Sequence, residues 1–232
     1  MVHAETARGR RVTAAAFAIL HAMNDPELMV FTVVVLIFSV IVHEVAHGWI
    51  ANALGDPTAK LAGRLTLNPL PHIDPIGSVL LPGLLVASGS GFLFGWAKPV
   101  PYNPYNLRNQ RWGEAIVGVA GVATNLVLAI VFALVARYAA SVGMLEFASL
   151  AAIVCWVNLF LGLFNLIPFP PLDGFTVLRG LLPLRFSVPF RAVEAQLGGF
   201  TGLLVFLLIF NFVLVEPFAA FAQSIFSLLL GS

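Results

Sequence analysis

Long apolar runs alternate with short polar stretches along most of this chain. We label the runs in order: A is Leu28 to about Leu54, B is Ile76 to Gly95, C is about Gly113 to Tyr138, D is about Phe147 to Ile167, and E is Gly198 to Val215. A further apolar run, Phe218 to Leu230, follows a Glu-Pro pair. A helix needs about 20 apolar residues to cross hydrocarbon. The pattern predicts transmembrane helices at A, C, D and E, and leaves open whether the last run is a second half-span or a surface helix.

Segment B differs from the other runs because its apolar residues are interrupted by helix-breaking ones. It contains Pro82 and five glycines, Gly77, Gly83, Gly89, Gly91 and Gly95. Irregular backbone at membrane depth is tolerated where protein buries it or where it lines a wet cavity. We therefore expect B to be a re-entrant hairpin or β element rather than a fifth crossing helix.

The composition agrees with a membrane protein. Hydrophobic residues make up 59% of the 232 residues and charged residues only 10%, whereas a soluble domain carries roughly 25% charge. The net charge of +1 gives no basic surface for nucleic acid. The polar stretches are too short for a separate domain, so residues 28–232 are expected to form one membrane-embedded domain. Residues 1–27 are expected to be a tail or surface helix, because their apolar stretch is too short to span.

The main chemical motif lies in segment A, where residues 43–47 read His-Glu-Val-Ala-His. Histidines four apart project from one face of a helix and can bind one zinc ion. Glu44 stands where it could hold and deprotonate a zinc-bound water. Ionisable residues in a spanning helix indicate function. The motif therefore predicts a zinc hydrolase centre, although five residues alone are not conclusive.

A catalytic zinc usually has a third protein ligand. The acidic candidates are Asp74 and Asp173, and Asp173 follows the proline-rich sequence Ile167-Pro168-Phe169-Pro170-Pro171-Leu172 that ends segment D. Such broken backbone could line a wet cavity. An aspartate there is equally well explained as the N-cap of a following helix. Spacing alone does not choose between the two.

Two motifs together resemble the site-2 protease family of intramembrane metalloproteases. They are the His-Glu-Val-Ala-His helix and, far downstream, Asn165-Leu166-Ile167-Pro168 with Leu172-Asp173-Gly174. The sequence Gly95-Trp96-Ala97-Lys98-Pro99-Val100-Pro101 and the pair Gly121 and Asn125 are similar to its compact bacterial and archaeal members, which lack a PDZ domain. The resemblance covers about Leu28 to Leu182, the expected core.

The resemblance implies a role for each matching residue. His43, His47 and Asp173 would bind one zinc ion per chain, with Glu44 as the catalytic base. Asn165 would position the substrate or stabilise the oxyanion, which an amide donor can do. The implied activity is endoproteolysis in or near transmembrane segments of other membrane proteins.

Sharing one metal constrains the topology. The histidines lie towards the C-terminal end of A and Asp173 lies just beyond D, so B must not cross if C and D form an up-and-down pair. The active-site side then carries eight of the twelve Lys and Arg residues: Lys60, Arg64, Lys98, Arg108, Arg111, Arg179, Arg185 and Arg191. The other side carries Arg137 and, in the tail, Arg8, Arg10 and Arg11, unless residues 12–23 cross. The positive-inside rule predicts an active site open towards the cytoplasm, and the resemblance to the compact members implies a prokaryotic cell membrane.

Two other asparagines are candidates for support of the site. Asn68 precedes segment B, which could offer an edge strand to an extended substrate, but a proline-rich loop with capping side chains is favoured there. Asn125 could orient a ligand from behind, and a purely structural bond between helices explains it as well.

The sequence therefore predicts an all-α polytopic membrane protein. Segments A, C and D would form its core, beside a C-terminal helix or helices and the re-entrant element. Its partners would be membrane protein substrates and the lipid bilayer, with no nucleic acid and an oligomeric state that the sequence does not give. A zinc transporter is the main alternative, but C, D and E contain no histidine that could form a second site. The other alternative is an inactive relative that binds membrane proteins without cleaving them, and the intact Glu44 argues against it.

Overall fold

The computed structural model describes residues 26–80, 83–84, 87, 97–109 and 112–231. The described residues form helices and connecting loops, and no β-strand occurs among them. The predictions for residues 1–25 and for most of segment B lie outside this part of the chain. The all-α class is confirmed for the residues described.

Four helices in the described residues are long and apolar enough to cross a membrane. They are α1 (Pro26–Ala53), α3 (Gly113–Ser141), α4 (Leu145–Asn165) and a C-terminal helix whose apolar part is Gly202–Leu230. At 1.5 Å per residue, the 28 residues of α1 extend about 42 Å, which exceeds the roughly 30 Å of hydrocarbon. The chain is an integral membrane protein.

Shorter elements connect these spans. They are α2 (Thr58–Leu61), α5 (Asp173–Leu181), α6 (Leu184–Leu197), 3₁₀ turns at Leu70–His72 and Pro104–Asn106, and a π-helical turn at Pro75–Leu80. Of these, α5 follows the proline-rich turn after α4, and α6 leads to the C-terminal helix.

The C-terminal helix joins segment E and the apolar run that follows it. It consists of α7 (Phe200–Ile209), a π-helical turn (Phe210–Leu214) and α8 (Val215–Leu230). Pro217 has no amide hydrogen to donate and its ring crowds the preceding turn, and a wider π turn just upstream is a common way to accommodate such a break. Segment E and the run Phe218 to Leu230 are therefore parts of one long helix.

Helices α1, α3 and α4 pack side by side in alternating directions. On α1, Ser39 and His43 face Asn125 of α3, while His47 faces Val117, so α1 and α3 are antiparallel. The backbone N–H of Arg108 donates to the carbonyl of Leu54 at 2.8 Å. The two ends of the segment between α1 and α3 therefore lie at the same end of the bundle.

The contact between α3 and α4 is made by small side chains. Buried alanines line both helices, Ala129, Ala133, Ala136, Ala139 and Ala140 on one and Ala148, Ala151 and Ala152 on the other. In lipid, small residues allow helix backbones to approach closely and gain van der Waals contact. We call this contact the alanine seam.

Aromatic rings attach the C-terminal helix to α4. Phe164 meets Phe206 and Phe210 edge to face, with ring centroids 5.4 and 5.1 Å apart, and Trp156 meets Phe226 at 5.2 Å. Only 6% of the apolar window of this helix is buried, compared with 50% for α4. The C-terminal helix therefore presents most of its surface to lipid.

Candidate metal centre

Three potential metal ligands from distant parts of the chain meet between α1, α3 and α5. His43 Nε2 lies 2.8 Å and His47 Nε2 lies 3.3 Å from Asp173 Oδ2. The two Nε2 atoms are 3.0 Å apart. All three ligand atoms lie within 4.8 Å of one another. The predicted His43, His47 and Asp173 group is thus brought together by the fold.

The other nitrogen of each imidazole already has a partner. His47 Nδ1 lies 2.7 Å from the carbonyl oxygen of Val117. A carbonyl can only accept, so this nitrogen carries the proton and Nε2 presents a lone pair in the neutral ring. This is the orientation that metal-binding histidines adopt.

A buried pair of asparagines orients His43. Its Nδ1 lies 2.5 Å from Oδ1 of Asn125, and the Asn125 amide donates to Oδ1 of Asn158 at 2.9 Å. Asn158 in turn donates to the carbonyl of Val154 within α4. Because the amide nitrogen of Asn125 is used in donation, its oxygen accepts from His43. Asn125 was predicted from the sequence as a possible support, whereas the supporting role of Asn158 was not.

A glycine leaves space for both rings. A Cβ atom added to Gly121 would overlap the Nε2 atoms of His43 and His47. One turn earlier on α3, Gly118 packs against Asp173, whose carbonyl oxygen would lie 3.4 Å from an added Cβ. The close approach of α3 to the ligands therefore depends on these small residues.

Asp173 reaches the histidines as the first residue of α5. The residue before it, Leu172, is the N-cap and makes no side-chain capping bond. The alternative that Asp173 is an N-cap is therefore not observed. Gly174 makes the tight turn possible, because an added Cβ would collide with the carbonyl of Leu166.

The donor set fits a metal ion. Asp173 Oδ2 is buried and receives no hydrogen bond, and it faces two nitrogen lone pairs. A cation placed between this oxygen and the two nitrogens would satisfy all three lone pairs. Two imidazoles and one carboxylate are ligands that zinc prefers, and three protein ligands leave a fourth position open.

Glu44 leaves α1 in a different direction from the histidines and is held separately. Its Oε2 accepts the backbone N–H of Val100 at 2.7 Å. Val100 belongs to a stretch without regular structure. In the same stretch, Lys98 is held by hydrogen bonds at both its backbone N–H and its carbonyl. The Lys98 N–H donates to the carbonyl of His72 at 2.8 Å, and its carbonyl accepts from Arg64 at 2.6 Å.

Asp56, just beyond α1, ties the rest of this loop to the helix. Its carboxylate accepts from the side-chain amide of Asn106 at 2.8 Å and from the backbone N–H of Asn103 at 2.6 Å, as well as from Thr58. Burial alone would raise the pKa of Asp56, but these hydrogen bonds outweigh it and hold the pKa below its ordinary value. The loop that positions Glu44 is thus anchored by an ionised side chain.

Two predicted residues have other partners in the structure. Asn165, the last residue of α4, donates to the carbonyl of Leu161 at 3.0 Å and not to the ligand group. Asn68 accepts from the backbone N–H of Leu70 at 3.1 Å, just before the 3₁₀ turn that includes His72, and the N-cap of that turn is Pro69. A local bond in a proline-rich loop is the kind of structural role favoured from the sequence. His72 is buried with its Nε2 2.9 Å from the Thr66 carbonyl, and it is not part of the ligand group.

Some of the supporting groups could have been found from the sequence. Asn158 is a polar residue inside an apolar helix, which is itself a signal of function. The Val117 carbonyl carries no such signal, because every residue has one. Its contact with His47 depends on how α1 and α3 are placed against each other.

Four apolar helices and a buried histidine–aspartate group with a nearby glutamate define the class of protein. It is a membrane-embedded metallohydrolase. The family model of peptidase family M50 matches residues 138–210, which include Asp173 and Asn165.

Curated relatives support the same family. YwhC of Bacillus subtilis, named as a zinc metalloprotease, is 40% identical over 190 residues, which cover 79% of this chain and 81% of the relative. Rip2 of Mycolicibacterium smegmatis, also named as a zinc metalloprotease, is 29% identical over 77% of this chain and 68% of its own length. No solved structure was found to match. The chain belongs to peptidase family M50 and is an intramembrane zinc metalloprotease.

Proposed function

We propose that His43, His47 and Asp173 hold the zinc ion and that Glu44 is the catalytic base for hydrolysis of peptide bonds. The observation that supports this most directly is the convergence of three ligand atoms within 4.8 Å. Zinc bound there would activate water and polarise the scissile carbonyl. The protein supplies the orientation of the ligands and the movement of the proton.

The contact with Val100 separates the functions of the two Glu44 oxygens. Since Oε2 accepts the Val100 N–H, we assign proton transfer to Oε1. It takes a proton from the attacking water and later gives it to the leaving amine. The Val100 contact would keep Glu44 in place during both steps.

Asn165 is proposed to contact the substrate or the developing oxyanion. In the structure its amide donates within α4. It lies eight residues before Asp173, at the start of the turn that leads to the ligand. Its role requires the amide to exchange the Leu161 carbonyl for a substrate oxygen.

We propose that the substrates are membrane proteins cleaved in or near their transmembrane segments. The ligand group lies between spanning helices. Measured along the helix axis, His43 lies about 15 Å from the C-terminal end of α1. A peptide bond must reach that depth to be cut. Asn68 is retained only as a secondary candidate for substrate contact, since its side chain accepts from the backbone of its own loop.

The proposed domain is a single membrane unit over residues 28–232, with its active site open towards the cytoplasm of a prokaryotic cell. The bond between Arg108 and Leu54 and the antiparallel α1 and α3 support a segment between them that does not cross. Eight of the twelve basic residues then lie on the active-site side. Segment B would be the re-entrant element of this arrangement.

Cysteine labelling tests this topology, because the native Cys155 is fully buried. Leu61 is 81% exposed and Tyr138, near the other end of the bundle, is 72% exposed. In intact cells, a membrane-impermeant maleimide should label Tyr138→Cys and not Leu61→Cys. In inverted vesicles the result should reverse. Labelling of Leu61→Cys in intact cells would contradict the proposed orientation.

Glu44→Gln tests the mechanism. The variant should bind zinc as the wild type does and fail to cleave a transmembrane substrate, since an amide cannot accept the proton. Glu27→Gln is a matched control at the other end of α1 and should cleave normally. Cleavage by Glu44→Gln at the wild-type rate would show that the mechanism is wrong. Comparing membrane proteomes of cells with either protein would then identify the natural substrates.

Zinc transport has less support. Among the described residues, the only cluster of potential metal ligands is the one already assigned. Inside α3 and α4, the side chain of Asn125 contacts His43 and donates to Asn158. The two asparagines do not form a second metal site along a path through the bilayer.

A further inference from the structure

A chain of four charged side chains lies at the end of the bundle where α3 begins. Glu114 of α3 pairs with Arg179 of α5 through one carboxylate oxygen and with Arg191 of α6 through the other, the latter at 2.6 Å. Arg179 also pairs with Glu194 of α6. Glu114 and Arg179 are only 5% and 7% exposed, so the central pair is buried.

This network holds the helix that carries Asp173. Arg179 is six residues after Asp173 on α5, about 9 Å along the helix axis. The start of α5 is fixed by the turn at Gly174, and its end is fixed by Arg179. Gly118 of α3 and Gly180 of α5 allow the two helices to approach closely, since Cβ atoms there would touch Asp173 and Ala115.

The same network attaches α6. Phe190 of α6 stacks on Phe175 of α5 at 5.5 Å. Arg191 also lies over the ring of Tyr105, with its guanidinium carbon 5.7 Å from the centroid and one nitrogen 3.3 Å from the hydroxyl. Glu114 is the member that contacts both arginines, so it joins α3 to both α5 and α6.

We propose that Glu114 is a positioning residue for the metal centre, acting through Arg179 on the placement of Asp173. This inference rests on the proposed function, because it assumes that Asp173 is a zinc ligand. Two glutamates and two arginines balance in charge. Loss of the Glu114 charge removes the buried carboxylate that joins Arg179 to α3, and leaves Arg179 paired with Glu194 of α6. The end of α5 then moves away from α3, and Asp173 moves with it.

The test compares Glu114→Gln with Glu146→Gln in the full-length protein. Both residues lie in the first turn of a spanning helix, Glu114 in α3 and Glu146 in α4. Both changes remove a charge near a helix N-terminus, but Glu146 is exposed. Only Glu114→Gln breaks the network.

We expect Glu114→Gln to lose zinc to a chelator roughly 10-fold faster or more, with a similar fall in kcat. The absorption spectrum of the cobalt-substituted protein should also change, because it reports the geometry of the ligands. Glu146→Gln should stay within about twofold of wild type in both measurements. Wild-type zinc release and an unchanged cobalt spectrum in Glu114→Gln would overturn the proposal.

A second pair of variants separates positioning from folding. Arg179→Lys keeps the charge beside Glu114, whereas Arg179→Met removes it. Arg179→Lys should retain zinc better than Arg179→Met when equal amounts of folded protein, measured by gel filtration, are compared. Equal zinc release per folded molecule would mean that the network is only structural, which would overturn the proposal.

A further variant keeps the two proposals distinct. His43→Ala should abolish zinc binding if the ligand set is correct. If His43→Ala binds zinc as well as wild type does, the proposed function fails. If only Glu114→Gln behaves like wild type, the positioning role fails and the ligand set stands.

Discussion

Helix α4 has two interfaces built in different ways. On one side it meets α3 along the alanine seam, and on the other it meets the C-terminal helix through phenylalanine rings. Small side chains set the distance between backbones directly, whereas rings 5 to 6 Å apart can pack at many angles. The ligands and their supporting asparagines all lie on the α1, α3, α4 and α5 side. The tightly packed half of the molecule therefore fixes the metal centre.

Gly121→Ala should have the largest effect, because the new methyl group would take the space of both imidazole rings. We expect zinc content to fall to near zero and cleavage to fall at least about 100-fold, as expected when reacting groups are displaced. Metal analysis of the purified protein and a cleavage assay measure this. Gly199→Ala, in the C-terminal half and with no atom within 4 Å of the added Cβ, should behave like wild type. Full zinc content in Gly121→Ala would contradict the described fit of α3 against the histidines.

Asn125→Ala should have the next largest effect. It removes the acceptor of His43 and leaves Asn158 without its donor. We expect zinc affinity or activity to fall roughly 10- to 100-fold, measured by competition with a chelator. Asn211→Ala, at an exposed position of the C-terminal helix, is the matched control. Equal affinities in the two variants would show that the asparagine pair is not needed to hold the ring.

Ala152→Leu tests how tightly the alanine seam is packed. Ala152 is fully buried in the alanine seam, so added methyl groups should destabilise the protein by roughly 1 to 3 kcal/mol. In a protein of this size that is a fall in Tm of roughly 2 to 12 °C. Ala219→Leu, on an exposed face of α8, should leave Tm nearly unchanged. Thermal unfolding in detergent measures both, and equal Tm values would show that the alanine seam is not tightly packed.

The sequence predicted the ligands better than the groups that hold them. His43, Glu44 and His47 are recognisable because their spacing on one helix is local, and Asp173 was chosen through its resemblance to a known motif. The partners of the ligands depend on the relative placement of α1, α3 and α4, which no local pattern records. Asn125 was therefore left with two explanations, and the Val117 carbonyl was not foreseen.

The four spanning helices were also predicted, since each is a long apolar run. The continuity of the C-terminal helix was not, because Pro217 usually ends or kinks a helix. The sequence does not show that a π turn at Phe210–Leu214 precedes the proline. The network around Glu114 was missed because its charges are far apart in the chain.

The two histidines differ in the kind of group that orients them, and this limits how the site can vary. His43 depends on an amide side chain, whereas His47 depends on a main-chain carbonyl. Any residue at position 117 presents the same carbonyl, so point substitution there cannot remove that contact without moving the helix. Position 125 can be exchanged for other acceptors. The contact that orients His43 can therefore be adjusted by mutation or design at position 125, whereas the contact that orients His47 is determined by the backbone fold.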